Sequence, residues 1–188
     1  MRPFIKTYTG KLICPLDLKP EDIDIKDIAK SLSNTCRFGG HIEDFYSTAE
    51  HSVLCWEASK GLTQDRNLQM ACLLHDGCEG LTAIDHVKPC KANYAVALPP
   101  NGEIVTIGEL ENRVTDVMAE WLGLTLNFND PLIKLIDKMV LNMETLAFRG
   151  ETVYNNLPTL KLKIRNLAPL EAYQEFLDAY SVARCTIK

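Results

Sequence analysis

The stretch LLHDGCEG at residues 73–80 ends an apolar run with two adjacent ionisable side chains. With 3.6 residues per turn, the predicted helix turns His75 inward, because His75 continues an apolar ridge made of Leu68, Ala71 and Cys72. Asp76 lies about 100° further around this helix, so the pair can offer one nitrogen and one oxygen to a single ion. Glu79 is four residues from His75 and three from Asp76, which places all three on one side of a continuing helix.

Two other interpretations of this stretch stay open. Cys72, His75 and Cys78 form a Cys-x-x-His-x-x-Cys run, but a structural zinc site would need a second half that the sequence does not offer. Glu79 is either a solvated residue at a helix end or a carboxylate that takes a proton from a water molecule beside a metal ion.

Composition narrows the class of protein. A chain of 188 residues with 46% hydrophobic and 24% charged residues predicts one soluble domain. The net charge of −5 argues against binding to nucleic acid or to anionic membranes. No apolar run approaches the roughly 20 residues of a membrane span, and the N-terminus lacks the apolar core of a secretion signal. The seven cysteines are odd in number and contain no Cys-x-x-Cys pair, and in a reduced compartment we expect most of them to be small buried hydrophobic residues. We therefore predict a cytoplasmic protein.

Helical periodicity dominates after the first 20 residues and predicts an all-α, bundle-like fold. Gly10, Pro15 and Pro20 punctuate a weakly alternating start, which predicts a short N-terminal hairpin or extended chain. The predicted helices cover residues 21–34, 44–60, 64–76, 107–123, 130–150 and 168–185, with Gly77 and Gly80 interrupting the third. The stretch 88–106 is the least regular part and contains the turn sequence Pro-Pro-Asn-Gly, so it is predicted to be a flap.

Two further residues combine a polar side chain with apolar surroundings. Asp137 lies within about 60° of Ile133, Val140 and Leu141 on its predicted helix, and Glu144 falls on nearly the same line. A buried carboxylate costs several kcal/mol unless cations or donors meet it, so Asp137 either caps a backbone group or binds a metal. The helical neighbours of His51 are small or apolar, which predicts an inward side chain that is either a hydrogen-bonded core residue or a ligand.

Together, His51, His75, Asp76 and Asp137 supply two imidazoles and two carboxylates. This mixture suits one divalent ion such as Mn²⁺, Co²⁺, Fe²⁺ or Zn²⁺. In an octahedral geometry, four protein ligands leave room for water and for a phosphate oxygen.

The order His51 … His75-Asp76 … Asp137 resembles the signature of the HD-domain metal-dependent phosphohydrolases. Three segments strengthen the resemblance: SLSNTCRFGGHIEDFYSTAEHSVL (31–54), HDGCEGLTAIDHVKPCK (75–91) and IDKMVLNMETLAF (136–148). They are similar to the phage and prophage YfdR-like and YfbR-like 5′-deoxynucleotidases and to the related phage dATP triphosphohydrolases. The likeness spans about residues 4–150 and is strongest before residue 91. It implies a compact helical HD-domain bundle formed by residues 1–188 as a single domain, and one divalent ion on the four ligands.

The resemblance also implies roles for residues around the ion. Arg37 would grip the phosphate, for which its forked guanidinium is suited, although a surface arginine is the alternative. Phe38 would lie beside the nucleoside, and His41 would either donate a hydrogen bond to phosphate or have a structural role. Lys91 would help to offset phosphate charge, and His86 is expected at the surface.

The two expected catalytic carboxylates are Glu79 and Asp85, and the sequence departs from the family pattern at the second. Asp85 follows Glu79 by six residues where relatives have five, and Asp85-His86-Val87 replaces the usual Asp-x-Pro. The insert at 92–107 is longer than the family pattern leads us to expect, and it could rebuild the base pocket.

The expected activity is hydrolysis of a deoxynucleoside monophosphate to a deoxynucleoside and phosphate. Removal of triphosphate from a dNTP is the first alternative, and a non-catalytic nucleotide-binding module is the second. Hydrolysis of cyclic nucleotides or alarmones is a further possibility within the same superfamily. The expected partner is a small-molecule nucleotide, with neither nucleic acid nor membrane, and kinship implies a homo-oligomer.

Overall fold

The computed structural model describes residues 4–82, 93–125 and 127–187. The chain divides into two compact units, each built from two separate segments. The first unit contains Met1–Leu32 and Gly77–Thr125, and the second contains Ser33–Asp76 and Leu126–Lys188. The expectation of a single HD domain over 1–188 stays a prediction.

The first unit begins with an antiparallel hairpin of β1 (Ile5–Lys6) and β2 (Leu12–Ile13). Gly10 lies in the turn with φ of +92°, a left-handed value that favours glycine. The hairpin is fixed to α1 (Ile25–Asn34), because buried Asp27 accepts hydrogen bonds of 2.7 Å from both the backbone N–H and the hydroxyl of Thr9.

The helix α4 (Gly77–Thr82) belongs to the same unit. A Cβ atom on Gly77 would lie 2.4 Å from the Met118 side chain, so the glycine permits close packing inside the unit. The prediction that Gly77 and Gly80 interrupt a helix is wrong, since both lie within α4. The break falls instead at the turn His75–Asp76, so no continuous helix runs from His75 to Glu79.

A second hairpin, β3 (Ala95–Leu98) and β4 (Glu103–Thr106), leads directly into α5 (Ile107–Leu122). Thr106 caps this helix: its hydroxyl accepts from the N–H of Glu109 at 3.2 Å, and the Glu109 carboxylate accepts from the N–H of Thr106 at 2.7 Å. The prediction that this stretch is irregular is wrong for residues 95–106, although the predicted turn falls between the two strands. Whether the hairpin moves as a flap stays a prediction.

The second unit is built around α2 (Thr48–Lys60), which packs against α3 (Arg66–Leu74), α6 (Pro131–Arg149) and α7 (Pro169–Thr186). Eleven of its 13 residues are buried, so the helix lies inside its unit rather than on one face of it. The core around it contains Tyr46, Leu54, Cys55, Ala58, Ala71, Cys72, Ile133, Ile136, Val140 and Met143.

Two buried side chains anchor the long connection between α6 and α7. The amide group of Asn142 on α6 donates to the carbonyl of Tyr154 at 2.6 Å, and its oxygen accepts from the N–H of Tyr154 at 2.8 Å. The Glu50 carboxylate on α2 accepts from the N–H groups of Arg165 at 2.6 Å and Leu167 at 2.9 Å. Backbone groups without regular partners are thereby satisfied.

The described residues are mostly helical, with two small two-stranded sheets, which confirms the predicted all-α class and the N-terminal hairpin. The other predicted helices begin and end within a few residues of α1, α2, α5, α6 and α7. Among the described residues, no helix combines the length and the apolar character that crossing a membrane requires.

Candidate metal centre

The loop at residues 37–46 positions the side chains of Arg37 and Tyr46 beside α2 in the second unit. The two ends of the loop are held together by the backbone pairing of Cys36 with Ser47, and the N–H of Arg37 donates to the carbonyl of Tyr46 at 2.9 Å. Inside the loop Phe38 has φ of 57°, a left-handed value that costs energy in a residue with a side chain. The loop therefore begins with Arg37 and ends with Tyr46 at fixed positions beside the start of α2.

The two histidines present their Nε2 atoms to the same space. His75 donates its Nδ1–H to the carbonyl oxygen of Cys72 at 2.8 Å, which leaves Nε2 as the acceptor in the neutral ring. Nδ1 of His51 lies 2.5 Å from the Glu144 carboxylate, so it also donates. The Nε2 atoms of His51 and His75 are 3.3 Å apart. A hydrogen bond that fixes Nδ1 in this way is how proteins orient a metal-ligating histidine.

Two carboxylates approach these nitrogens. Oδ1 of Asp137, on α6, lies 3.4 Å from Nε2 of His51 and 4.0 Å from Nε2 of His75. Oδ2 of Asp76 lies 3.7 Å from Nε2 of His51, and Oδ1 of Asp76 lies 3.4 Å from Nε2 of His75. Two atoms that each bind an ion at about 2.1 Å can be at most about 4.2 Å apart. Every one of these separations is below that limit, so each carboxylate can share one dication with the histidine nitrogens that it approaches.

Nearby positive charges favour the ionised form of the carboxylates of Asp76 and Asp137. Burial alone would raise the pKa of Asp137, but the nearby His51, His75 and Arg37 hold it far below its usual value. The pKa of Asp76 is lowered by His75, His51 and Arg37 despite its burial. Burial and Arg37 act to lower the pKa of His51, yet Cys55, Glu144 and Asp137 hold it well above its usual value. The carboxylates around His51 therefore favour a positive charge at this position, and a bound dication would supply that charge in place of a proton on Nε2.

Glu144 is the centre of the hydrogen-bond network behind the ligands, and its side chain is 0% exposed. Besides His51, it accepts from the Tyr46 hydroxyl at 2.7 Å and from Nε of Arg37 at 3.2 Å. The charges of Arg37 and His51 outweigh burial and lower the pKa of Glu144 to about 2. The sequence places Glu144 on the same line as Asp137 without indicating its role, and no pattern in the sequence pointed to Tyr46.

Arg37 lies between the network and the carboxylates. Its Nη2 is 3.2 Å from Glu144 and its Nη1 is 3.5 Å from Asp76. The side chain is 17% exposed, which does not fit the alternative of a surface arginine. Two of its five N–H groups take part in none of these contacts and remain as donors.

The other predicted substrate residues lie on the same loop. Phe38 packs edge-on against Phe148, with ring centroids 6.0 Å apart, and the Arg149 guanidinium lies 4.9 Å from its ring centroid. His41 is exposed and follows the loop's short 3₁₀ turn, where its backbone N–H donates to the carbonyl of Phe38 at 3.1 Å. Their roles towards a substrate stay predictions.

The predicted catalytic carboxylates lie elsewhere in the chain. Glu79 is in the first turn of α4, belongs to the first unit and is 8% exposed. Asp85, His86 and Lys91 lie outside the described residues, as does Ala92 at the start of the insert. The assignments of Glu79, Asp85 and Lys91 therefore remain predictions.

The structure also brings a sulfur atom to the cluster. Sγ of Cys55 lies 3.5 Å from Nε2 of His51, and the ligand atoms of His51, Cys55 and His75 all lie within 4.8 Å of one another. Burial raises the pKa of the Cys55 thiol to about 11. From the sequence, Cys55 was expected only to be a small or apolar neighbour of His51.

A separate cleft in the second unit, of about 730 Å³, lies along the first half of α6 and the connection after it. Lys134, Lys138 and Tyr154 are among its lining residues, whereas none of the four candidate ligands lines it. The converging donor atoms, rather than cavity size, therefore locate the candidate centre.

Fold and site together define a mostly helical protein with a candidate His–carboxylate metal centre. A scan of family models finds no match. The chain is 32% identical over 184 residues to YfdR of Escherichia coli K12, which covers 95% of this chain and 94% of the relative. It is 30% identical over 158 residues to a Rhodobacter capsulatus protein, which covers 79% and 74%. Both relatives are described as uncharacterized. The chain belongs to the YfdR family.

Proposed function

We propose that the protein is a divalent-metal-dependent phosphohydrolase of the HD type that acts on deoxynucleotides. The observation that carries the proposal is the convergence of two Nε2 atoms and two carboxylates within 3.3–4.0 Å, with both Nδ1 atoms engaged elsewhere. Loss of the proton from His51 frees its Nε2 to bind the same dication as Nε2 of His75. The resemblance noted in the sequence then supplies the class of reaction.

The residues present fit the cation that this class of enzyme uses. His51, His75, Asp76 and Asp137 would hold it, since they offer the nitrogen and oxygen donors that Mn²⁺, Co²⁺, Fe²⁺ and Zn²⁺ accept. When bound, such an ion polarises a phosphoryl oxygen and makes a water molecule more acidic.

The chain's own side chains provide the rest of the chemistry. Arg37 is held in place by Glu144 and Asp76, so its two remaining N–H groups are oriented before substrate arrives. We assign them to two phosphate oxygens, where they stabilise the charge that develops during transfer. From the resemblance alone, we keep Glu79 as the residue proposed to accept the proton of the attacking water.

The preferred substrate is a deoxynucleoside monophosphate. Water adds to phosphorus, the bond from phosphorus to the 5′ oxygen breaks, and the products are a deoxynucleoside and phosphate. Phe38 offers an apolar ring at the loop, suited to contact with the nucleoside. Release of triphosphate from a dNTP is the second candidate and rests on the resemblance to phage triphosphohydrolases. A non-catalytic binding module is less well supported, because it has no need of a complete ligand set.

A product-resolved assay tests the proposal. The purified protein is analysed for bound metal, then incubated with dNMPs, ribonucleoside monophosphates and dNTPs in the presence of Mn²⁺ or Co²⁺. We expect phosphate from dNMPs and loss of activity after chelation. Tripolyphosphate from dNTPs would favour the second candidate, and binding without turnover of any nucleotide would favour the binding module. We also propose that the protein is cytoplasmic and that it forms a homo-oligomer.

A further inference from the structure

We infer that Cys55 supplies a sulfur ligand to the metal centre and makes the site selective for a thiophilic dication. The inference rests on the proposed metal centre and adds a fifth ligand to it. It names the class of ion that the site takes: Zn²⁺, Co²⁺ or Fe²⁺ rather than Mn²⁺ or Mg²⁺.

The geometry comes from helical spacing. Cys55 follows His51 by four residues on α2, so both side chains lie on one face of the helix. An ion bound at about 2.3 Å by sulfur and about 2.1 Å by nitrogen holds these atoms about 3.1 Å apart at a bond angle of about 90° and about 3.6 Å apart at about 109°. The observed separation of Sγ and Nε2 is 3.5 Å. The sulfur therefore already lies where a ligand would be.

The difference in exposure between Cys55 and the two carboxylates indicates from which side sulfur would bind the ion. Cys55 is 1% exposed, whereas the side chains of Asp76 and Asp137 are 18% and 24% exposed. Sulfur would thus bind from the core, and in an octahedral geometry one position on the exposed side would remain open to a water or phosphate oxygen. This arrangement keeps a catalytic position available, as an enzyme centre requires.

Coordination of the ion by sulfur requires that the Cys55 thiol lose its proton. The S–metal bond forms, the thiol proton leaves to solvent, and the thiolate is stabilised by the dication. Soft thiolate ligands favour Zn²⁺ and its neighbours, whereas carboxylate and water suit Mn²⁺ and Mg²⁺. A centre with only imidazoles and carboxylates would discriminate less.

Cys72 provides a matched control. It is also buried and belongs to the same core cluster, but its contact with the centre is through its backbone carbonyl, which accepts from Nδ1 of His75. A Cys72→Ala variant removes a buried thiol of the unit without removing that carbonyl.

The test uses cobalt as a spectroscopic probe. The metal-free protein is titrated with Co²⁺, and near-ultraviolet sulfur-to-cobalt charge transfer is recorded together with the visible cobalt bands. We expect both in the wild type and in Cys72→Ala, and only the visible bands in Cys55→Ser. Competition should show that the preference for Zn²⁺ over Mn²⁺ falls about tenfold or more in Cys55→Ser.

The outcomes separate the two proposals. Visible cobalt bands without charge transfer in the wild type would overturn the sulfur ligand and leave the metal centre standing. Failure to bind Co²⁺ or Zn²⁺ at all would overturn both. X-ray absorption of the zinc-loaded wild type needs no variant, and one sulfur at about 2.3 Å is expected. A zinc shell of nitrogen and oxygen alone would refute the inference even if Cys55→Ser failed to fold.

Discussion

Replacing Glu144 with glutamine should weaken both the fold and the metal centre, because this one carboxylate serves three partners. It accepts from the Tyr46 hydroxyl and His51 Nδ1, and it pairs with Arg37. Glutamine keeps the shape but loses the charge. Its amide can also present N–H to His51, which would favour the wrong tautomer at Nε2.

The magnitude follows from the lowered pKa. A fall from the usual 4.5 to about 2 corresponds to about 3 kcal/mol of unfolding free energy at neutral pH. Because the folded-state pKa is depressed, this contribution is present above about pH 4.5 and is lost as the pH falls towards 2. Metal affinity should fall by about 10- to 100-fold, as is usual when the partner of a ligating histidine is removed.

Urea denaturation of wild type and Glu144→Gln, both with chelator present, measures the first effect at a series of pH values. We expect a gap of about 3 kcal/mol at pH 7 that narrows below pH 4.5. Titration of the metal-free proteins with Zn²⁺ measures the second effect. Tyr46→Phe is the matched control, since it removes one hydrogen bond but keeps the charge, and it should cost only about 1 kcal/mol.

Equal stability of Glu144→Gln and wild type at pH 7 would refute the reasoning. So would a gap that stays constant from pH 7 to pH 3, because it would come from packing rather than from the ionised carboxylate.

Three further predictions concern single side chains. Asp137→Ala should lose bound metal and activity together, while Asp116→Ala, at an exposed position on α5, should keep both; a metal-loaded and fully active Asp137→Ala would exclude Asp137 as a ligand. Arg37→Ala should raise KM and lower kcat with metal content unchanged, as steady-state kinetics and metal analysis would show; simultaneous metal loss would mean that its ion pairs mainly hold the site together. Exposed Cys185 should react with a thiol reagent in the native protein, whereas Cys72, whose pKa burial raises to about 12, should react only after unfolding; peptide mass mapping at pH 8 distinguishes them, and rapid labelling of native Cys72 would contradict its burial.

Much of the fold could be predicted from the sequence because helical periodicity is a local property of the chain. The apolar spacing at residues 130–150 predicted α6 almost to its ends, where Pro131 and Gly150 mark its limits. The hairpin at 95–106 was not foreseen, because a short alternating run beside proline and glycine gives a weak signal. The break at His75–Asp76 was also misplaced, since close packing against Met118 requires a glycine at position 77 and can offset the cost of about 1 kcal/mol that glycine has inside a helix.

The candidate site was only partly visible in the sequence. Inward polar residues could be recognised one helix at a time, because a polar side chain on an apolar stripe needs a partner. Which partner it meets could not be recognised. The contact of His51 with Glu144 joins residues 93 positions apart, and that of Tyr46 with Glu144 joins residues 98 apart.

The amino-acid sequence by itself therefore determined the helical class and the chemical character of His51, His75, Asp76 and Asp137, because helical periodicity and residue type are local features of the sequence. Only the tertiary structure decided that the two carboxylates lie within 4.0 Å of the histidine Nε2 atoms, that Glu144 accepts a hydrogen bond from His51, and that the sulfur atom of Cys55 lies beside them. The physical reason is that coordination geometry depends on distances between helices, and packing sets those distances after the helices have formed.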